Sequence, residues 1–197
     1  MGKERLETFA DGVFAIAATL LILNVELPKS GGSLAHELVH LWPAYAAYAV
    51  SFLVIGVIWV NHHTILSLVG HIDRTFLLIN VLFLLAIAFL PFPTRVLADN
   101  LRAGDARTAA VFYGLASIAM SVTFLAVWLY CSRIGGLLAD DADPRVVSGI
   151  TRSFLPGMPL YTLATLSCLI SAWLGAALYA ALALFYVVSS AVFGRAE

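Results

Sequence analysis

Read as runs of apolar positions, the chain divides into long oily blocks separated by short polar breaks. The first four blocks run over roughly 6–27, 41–62, 75–98 and 109–130. Each approaches the ~20 residues that carry a helix across the ~30 Å hydrocarbon core of a bilayer. The last block, Phe154 to Phe193, is about twice that length. It predicts two spans, about 154–171 and 174–193, joined by a tight turn near Ala172–Gly175. Lipid offers a bare backbone no partner, so the spans are expected to be helices. The strict alternation of a membrane strand is absent. The expected fold is therefore all-α and polytopic, a single domain of six transmembrane helices over 1–197.

Composition strengthens this picture. Hydrophobic residues make up 61% and charged residues 12% of the 197 positions, with a mean hydropathy of +0.94. A soluble domain carries roughly 25% charge. The net charge of −1 offers no basic patch to nucleic acid. Cys131 and Cys168 lie in or beside apolar blocks without paired spacing, and read as small hydrophobes. The first block is preceded by Arg5, Glu7 and Asp11 and runs on to Leu27 with no small-residue cleavage site, so it is expected to persist as a helix.

Charge also orients the chain. Six spans put both termini on one side, with Lys3, Arg5, Arg74, Arg133, Arg145, Arg152 and Arg195; the other side holds Lys29, Arg95, Arg102 and Arg107. Seven cations against four favour cytoplasmic termini in a cell (inner) membrane. Trp42, Tyr45, Tyr48 and Trp59 near the ends of the second block suit an aromatic belt.

Chemistry concentrates in the first block. Arg5, Asp11 and Glu26 sit near its ends, where ionisable groups reach the interface cheaply. Between them Gly12, Ile16, Thr19, Leu20 and Leu23 fall on one helical face, with Thr19 the only hydroxyl mid-stripe. Two readings of that face stand side by side. It packs on lipid or another helix with Thr19 bonded back to its own backbone, or it lines a path for ions.

The stretch from Arg5 through Phe9-Ala10-Asp11-Gly12-Val13-Phe14-Ala15-Ile16-Ala17-Ala18-Thr19 to Leu23 closely resembles the first-helix signature of the endosomal and lysosomal potassium channel family transmembrane protein 175, in its prokaryotic six-helix form. The likeness continues in Trp59-Val60-Asn61-His62, in Asp73 and Asn80, and in Phe89-Leu90-Pro91-Phe92, and covers the first half of the chain; the second half matches in hydropathy alone. Ala10 stands where the family signature has serine. The resemblance implies a homotetramer with four copies of the first helix around a central pore that passes K+ and other monovalent cations without a cofactor. It implies a hydrophobic constriction at Ile16, with further layers at Leu20 and Leu23, and a role in selectivity for Thr19. It also implies a structural network of Arg5, Asp11, Trp59, His62, Asp73 and Asn80 that holds the helix in place.

Physics is compatible with this. No T-V-G-Y-G loop is present, so a carbonyl-lined filter is unavailable. A narrow ring of Ile16 and Leu20 would dewet when closed and favour the more easily dehydrated cation when open, with modest selectivity. Glu26 with Asn24 at one end, and Asp11 at the other, are the candidate pore mouths, where acidic rings would raise local cation concentration.

Other signals compete less well. His36-Glu37-Leu38-Val39-His40 matches H-E-x-x-H, in which histidines one turn apart bind zinc and the glutamate acts as base. The segment follows a Gly/Ser run in a loop and has no evident third ligand; an amphipathic approach to the second span is the plainer reading. Adjacent His62 and His63 point to different faces and do not chelate together. The Asp140–Asp143 run reads as a solvated loop inside a polar stretch, Ser132 to Arg152. No nucleotide or serine-nucleophile motif occurs, so an enzyme is not expected. The remaining rivals are a secondary transporter, which lacks a midplane ionisable group here, and a membrane metalloenzyme using His36, Glu37 and His40.

Overall fold

The computed structural model describes residues 2–26 and 33–193, the stretch 189–193 by its backbone alone. The expected helix end at Leu27, together with Lys29 and Arg195 of the charge argument, lies outside them.

Helix α1 (Lys3–Leu20) buries Leu6, Ala10, Phe14 and Ala17, a stripe at helical spacing, and tightens into a 3-10 turn over Leu21–Asn24. Its packed stripe lies against α3 (Trp42–Leu68) and α4 (Arg74–Phe89). A short α2 (Leu34–His40) leads into α3, which has Pro43 in its first turn, where a missing amide costs nothing. At 27 residues α3 is about 40 Å long, six residues longer at its far end than the apolar run alone suggests.

Asp73 caps α4 by accepting from the Phe76 amide at 2.7 Å. The helix stops at Leu90 because Pro91 has no N–H to continue the ladder. The Leu90 amide instead closes a tighter turn onto the Ile87 carbonyl, and α5 (Pro91–Asn100) restarts the rod.

Helix α6 (Ala106–Leu129) ends in a π turn over Tyr130–Ile134. Gly136 follows at φ +57, a left-handed reversal that suits glycine. The reversed chain then lies along the foot of α3, where Gly70 donates to the Leu137 carbonyl at 2.9 Å and Ala139 to that of Leu68 at 2.9 Å.

The polar stretch after α6 is not all loop. Asp143 accepts from the Arg145 amide at 2.7 Å and starts α7 (Pro144–Phe154), an amphipathic helix held on α6 by a bond from Trp128 Nε1 to Thr151 at 3.0 Å. The long apolar block divides into α8 (Gly157–Ser167) and α9 (Ala172–Phe193), with the break at 168–171, just ahead of the expected turn. Four of the described helical stretches are long and apolar enough to cross a membrane: Lys3–Asn24, Trp42–Leu68, Arg74–Asn100 and Ala106–Ile134. Helix α8, at about 16 Å, is too short to cross alone. The described chain is thus helical and polytopic. Cys131 and Cys168 are buried free thiols.

Candidate pore-lining site

The two sides of α1 differ sharply. Leu6, Ala10, Phe14, Ala17 and Leu21 are buried, whereas Ile16, Leu20 and Leu23 face outward at 61%, 42% and 63% exposure. Thr19 lies on the exposed side. Its Oγ1 is 2.8 Å from the Ala15 carbonyl and 3.0 Å from that of Ile16, so the hydroxyl donates back into its own helix. The backbone bonding weighed from sequence and the outward face therefore occur together.

Polar bonds tie α1, α3 and α4 to one another around that packed stripe. Trp59 Nε1 donates to Asp11 Oδ1 at 2.8 Å, tying α3 to the middle of α1. The donor is neutral, so the formal charge of Asp11 is uncompensated by this bond. His62 and Asn80 are buried and joined at 2.9 Å. Asn80 Nδ2 is used on the Phe76 carbonyl, which leaves its Oδ1 to accept and makes His62 Nε2 the donor. The imidazole packs beside Phe14 and Phe83 at centroid distances of 5.7 and 5.3 Å, in a triangle that the two phenyl rings close at 5.9 Å. Arg5 is not part of this pair: it is exposed and has no side-chain partner among the described residues. Lys3, which from sequence counted only among the orienting charges, donates to the Val69 carbonyl at 3.1 Å.

Asp73 belongs to a different junction from Asp11 and His62. Besides capping α4, it accepts from the Tyr130 hydroxyl at 2.6 Å and so joins α4 to the π turn after α6. That hydroxyl, and then the Phe76 amide, hold its carboxyl below the ordinary value of 3.8. Nothing local in the sequence marks Tyr130 as the partner.

At the opposite end of α1, Asn24 Nδ2 donates to the Pro91 carbonyl at 3.0 Å, fastening the 3-10 turn to the α4–α5 break. Glu26 pairs with Arg95 at 3.2 Å, and Arg95 lies 3.6 Å from Asp99. A cation therefore sits on the carboxylate that sequence reading left as a bare ring. The i, i+4 spacing of Arg95 and Asp99 was visible; the link to Glu26 needed the fold.

The H-E-x-x-H segment forms α2 on the exposed surface. His36 and His40 stack at 5.6 Å, and His40 Nε2 lies 3.1 Å from Arg102 Nη1. A guanidinium only donates, so that nitrogen is already occupied. Among the described residues no three metal-ligating side chains gather around a common point.

Residues 5–91 match the family model described as endosomal/lysosomal potassium channel TMEM175. A potassium channel of Streptomyces collinus is 44% identical over 189 residues, covering 92% of this chain and 90% of that protein. A potassium channel of Chamaesiphon minutus is 40% identical over 190 residues, covering 94% of each. The crystal structure of a lysosomal potassium-selective channel TMEM175 homologue from Chamaesiphon minutus superposes with a TM-score of 0.88 at 37% identity, covering 95% of this chain and 97% of that one. The likeness thus runs well past the half of the chain to which the sequence signature confined it. These relatives are ion channels, not enzymes. On the signature in α1, the shared fold and identity along nearly the whole length, the chain belongs to the TMEM175 family of potassium channels.

Proposed function

We propose that the chain is one subunit of a modestly selective potassium channel whose pore is lined by the outward face of α1. One observation carries this reading. Ile16, Leu20 and Leu23 form an exposed apolar stripe on a helix whose other side is packed into the body through Leu6, Ala10, Phe14, Ala17 and Leu21. Such a stripe meets either lipid or further copies of the chain. Thr19 within it, and the formal charge of Asp11 that the neutral indole of Trp59 does not balance, suit copies around an aqueous axis better than lipid. The names of the bacterial relatives support potassium as the ion.

In this reading four copies assemble as a homotetramer in the cell (inner) membrane. Residues 154–171, with α8 as their helical middle, and α9 complete six passes in a single domain, with both termini cytoplasmic. Rings of Ile16, Leu20 and Leu23 make a constriction that excludes water when narrow and passes partly dehydrated cations when wider. The cation that sheds water more easily is favoured, and Thr19 adds a weak oxygen ligand. Asp11 is the stronger of the two mouths, because Glu26, beside Asn24, is charge-paired with Arg95. Arg5 remains for contacts between subunits. The channel needs no cofactor beyond the permeant ion.

Flux into liposomes under matched K+ and Na+ gradients tests the proposal. Ile16→Asn should raise leak severalfold, and Thr19→Ala should move the reversal potential toward loss of K+ preference. Unchanged flux in Ile16→Asn would remove Ile16 from the conduction path.

A further inference from the structure

A cleft of about 560 Å³ lies between the π turn and α7, at the end of the molecule opposite Glu26, and the channel reading makes no use of it. Two guanidinium groups from different elements line it: Arg133 in the π turn and Arg152 in the last turn of α7. Ser132 and Ser148 add hydroxyls, and Leu138 and Val147 an apolar wall.

Both arginines are exposed, and neither has a side-chain partner among the described residues. The acidic residues nearest in the chain do not answer them. Asp143 is engaged as the cap of α7, and neither it, Asp140 nor Asp141 lines the cleft. The walls are fixed before any ligand arrives, by the Trp128–Thr151 bond on one side and by the Leu137 amide on the Cys131 carbonyl at 3.0 Å on the other.

Location supplies the second argument. The stretch Ala106–Ile134 is long and apolar enough to span, so the cleft sits where a span leaves the hydrocarbon. Around it Ile134, Val146 and Leu155 are exposed at 75%, 45% and 47%, a costly display to water and an ordinary one to acyl chains. A guanidinium presents a planar fork of donors that matches two phosphate oxygens, and its aliphatic stem tolerates an oily surround.

We propose that this cleft binds the headgroup of an anionic phospholipid, the phosphate held by Arg133 and Arg152 and the acyl chains running along Ile134 and Leu155. The assignment needs α6 to cross the membrane and does not depend on what lines the pore.

The test titrates the purified full-length protein in neutral detergent with dioleoylphosphatidylglycerol or dioleoylphosphatidylcholine, read by native mass spectrometry. The glycerol lipid should bind more tightly than the choline lipid. Arg133→Gln and Arg152→Gln should each weaken it about fivefold, the worth of one interfacial cation, with choline-lipid binding unchanged. Arg145→Gln, on α7 but outside the cleft, should behave as wild type. Equal affinity for the two lipids would overturn the assignment, as would an equal loss in Arg145→Gln. Soluble glycerol phosphate binding as tightly as the lipid would make this an anion site instead. Should a variant not fold, photoactivatable phosphatidylglycerol on the unaltered protein decides: labelling within 132–155 is expected, and labelling confined elsewhere refutes the site.

Discussion

Where α1, α3 and α4 meet, unlike groups fix the contacts: an indole of α3 on a carboxylate of α1, an ammonium of α1 on a backbone carbonyl just past α3 and, between α3 and α4, an imidazole on an amide. Where α6, α8 and α9 meet, the contact is made of hydroxyls and small residues. The Tyr179 hydroxyl donates toward Thr165 at 3.1 Å, with the Ala110 carbonyl at 3.4 Å, and the Tyr179 ring packs edge-on against Tyr113 at 5.0 Å. The first arrangement secures one side of one helix and leaves its other side free. The second closes on itself and serves as the scaffold. Function is therefore expected to be sensitive in the first region and stability in the second.

The sharpest way to break that contrast is at the scaffold. A Cβ added at Gly114 would collide with the Tyr179 hydroxyl and both branches of Thr165. Gly114→Val should cost about 3 kcal/mol or prevent folding, seen as lost thermal stability in detergent. A well-folded Gly114→Val protein would show that the scaffold is looser than its contacts imply.

His62→Leu probes the mount. It strips the donor from a fully buried Asn80 oxygen and should cost about 2 kcal/mol. Pairing it with Asn80→Leu should return part of that loss, since two apolar groups replace a broken bond. Additive losses would mean that the two residues act separately.

Asp73→Asn should have the mildest effect, and one confined by pH. The carboxyl titrates lower in the folded protein than in the unfolded chain, so the folded state binds fewer protons. Its contribution is complete above the ordinary carboxyl range and disappears as pH falls through the lowered value. The gap in melting temperature between wild type and Asp73→Asn should therefore be present at neutral pH and close below 3.8. A gap independent of pH would assign Asp73 a purely geometric role.

Part of α1 was legible in the sequence: Ile16, Thr19, Leu20 and Leu23 fall on one face by helical spacing, and the fold leaves that face outward. The packed stripe of Leu6, Ala10, Phe14 and Ala17 was not singled out, because it is as apolar as the face opposite. The break at Pro91 falls inside the single span expected over 75–98; the missing amide was a local signal for it, hidden by the continuous apolar run. Less of the second half could be read. Asp143-Pro144 was a start signal for α7, masked by the aspartate run around it. The break after Ser167 carries no charge or proline; it rests on Ser167 and Cys168 bonding back to the Ala164 carbonyl, which no spacing announces. Partners distant in sequence, Glu26 with Arg95 and Asp73 with Tyr130, became visible only when the helices were placed side by side.

Thr19 spends its single proton on carbonyls of the preceding turn. What it offers outward is an atom with electron pairs and nothing left to give. An anion approaching that point finds no welcome, whereas a bare or half-hydrated positive ion finds a donor of electron density. In the proposed pore, the sign of the charge welcomed at this face would thus be set by a bond that points away from it.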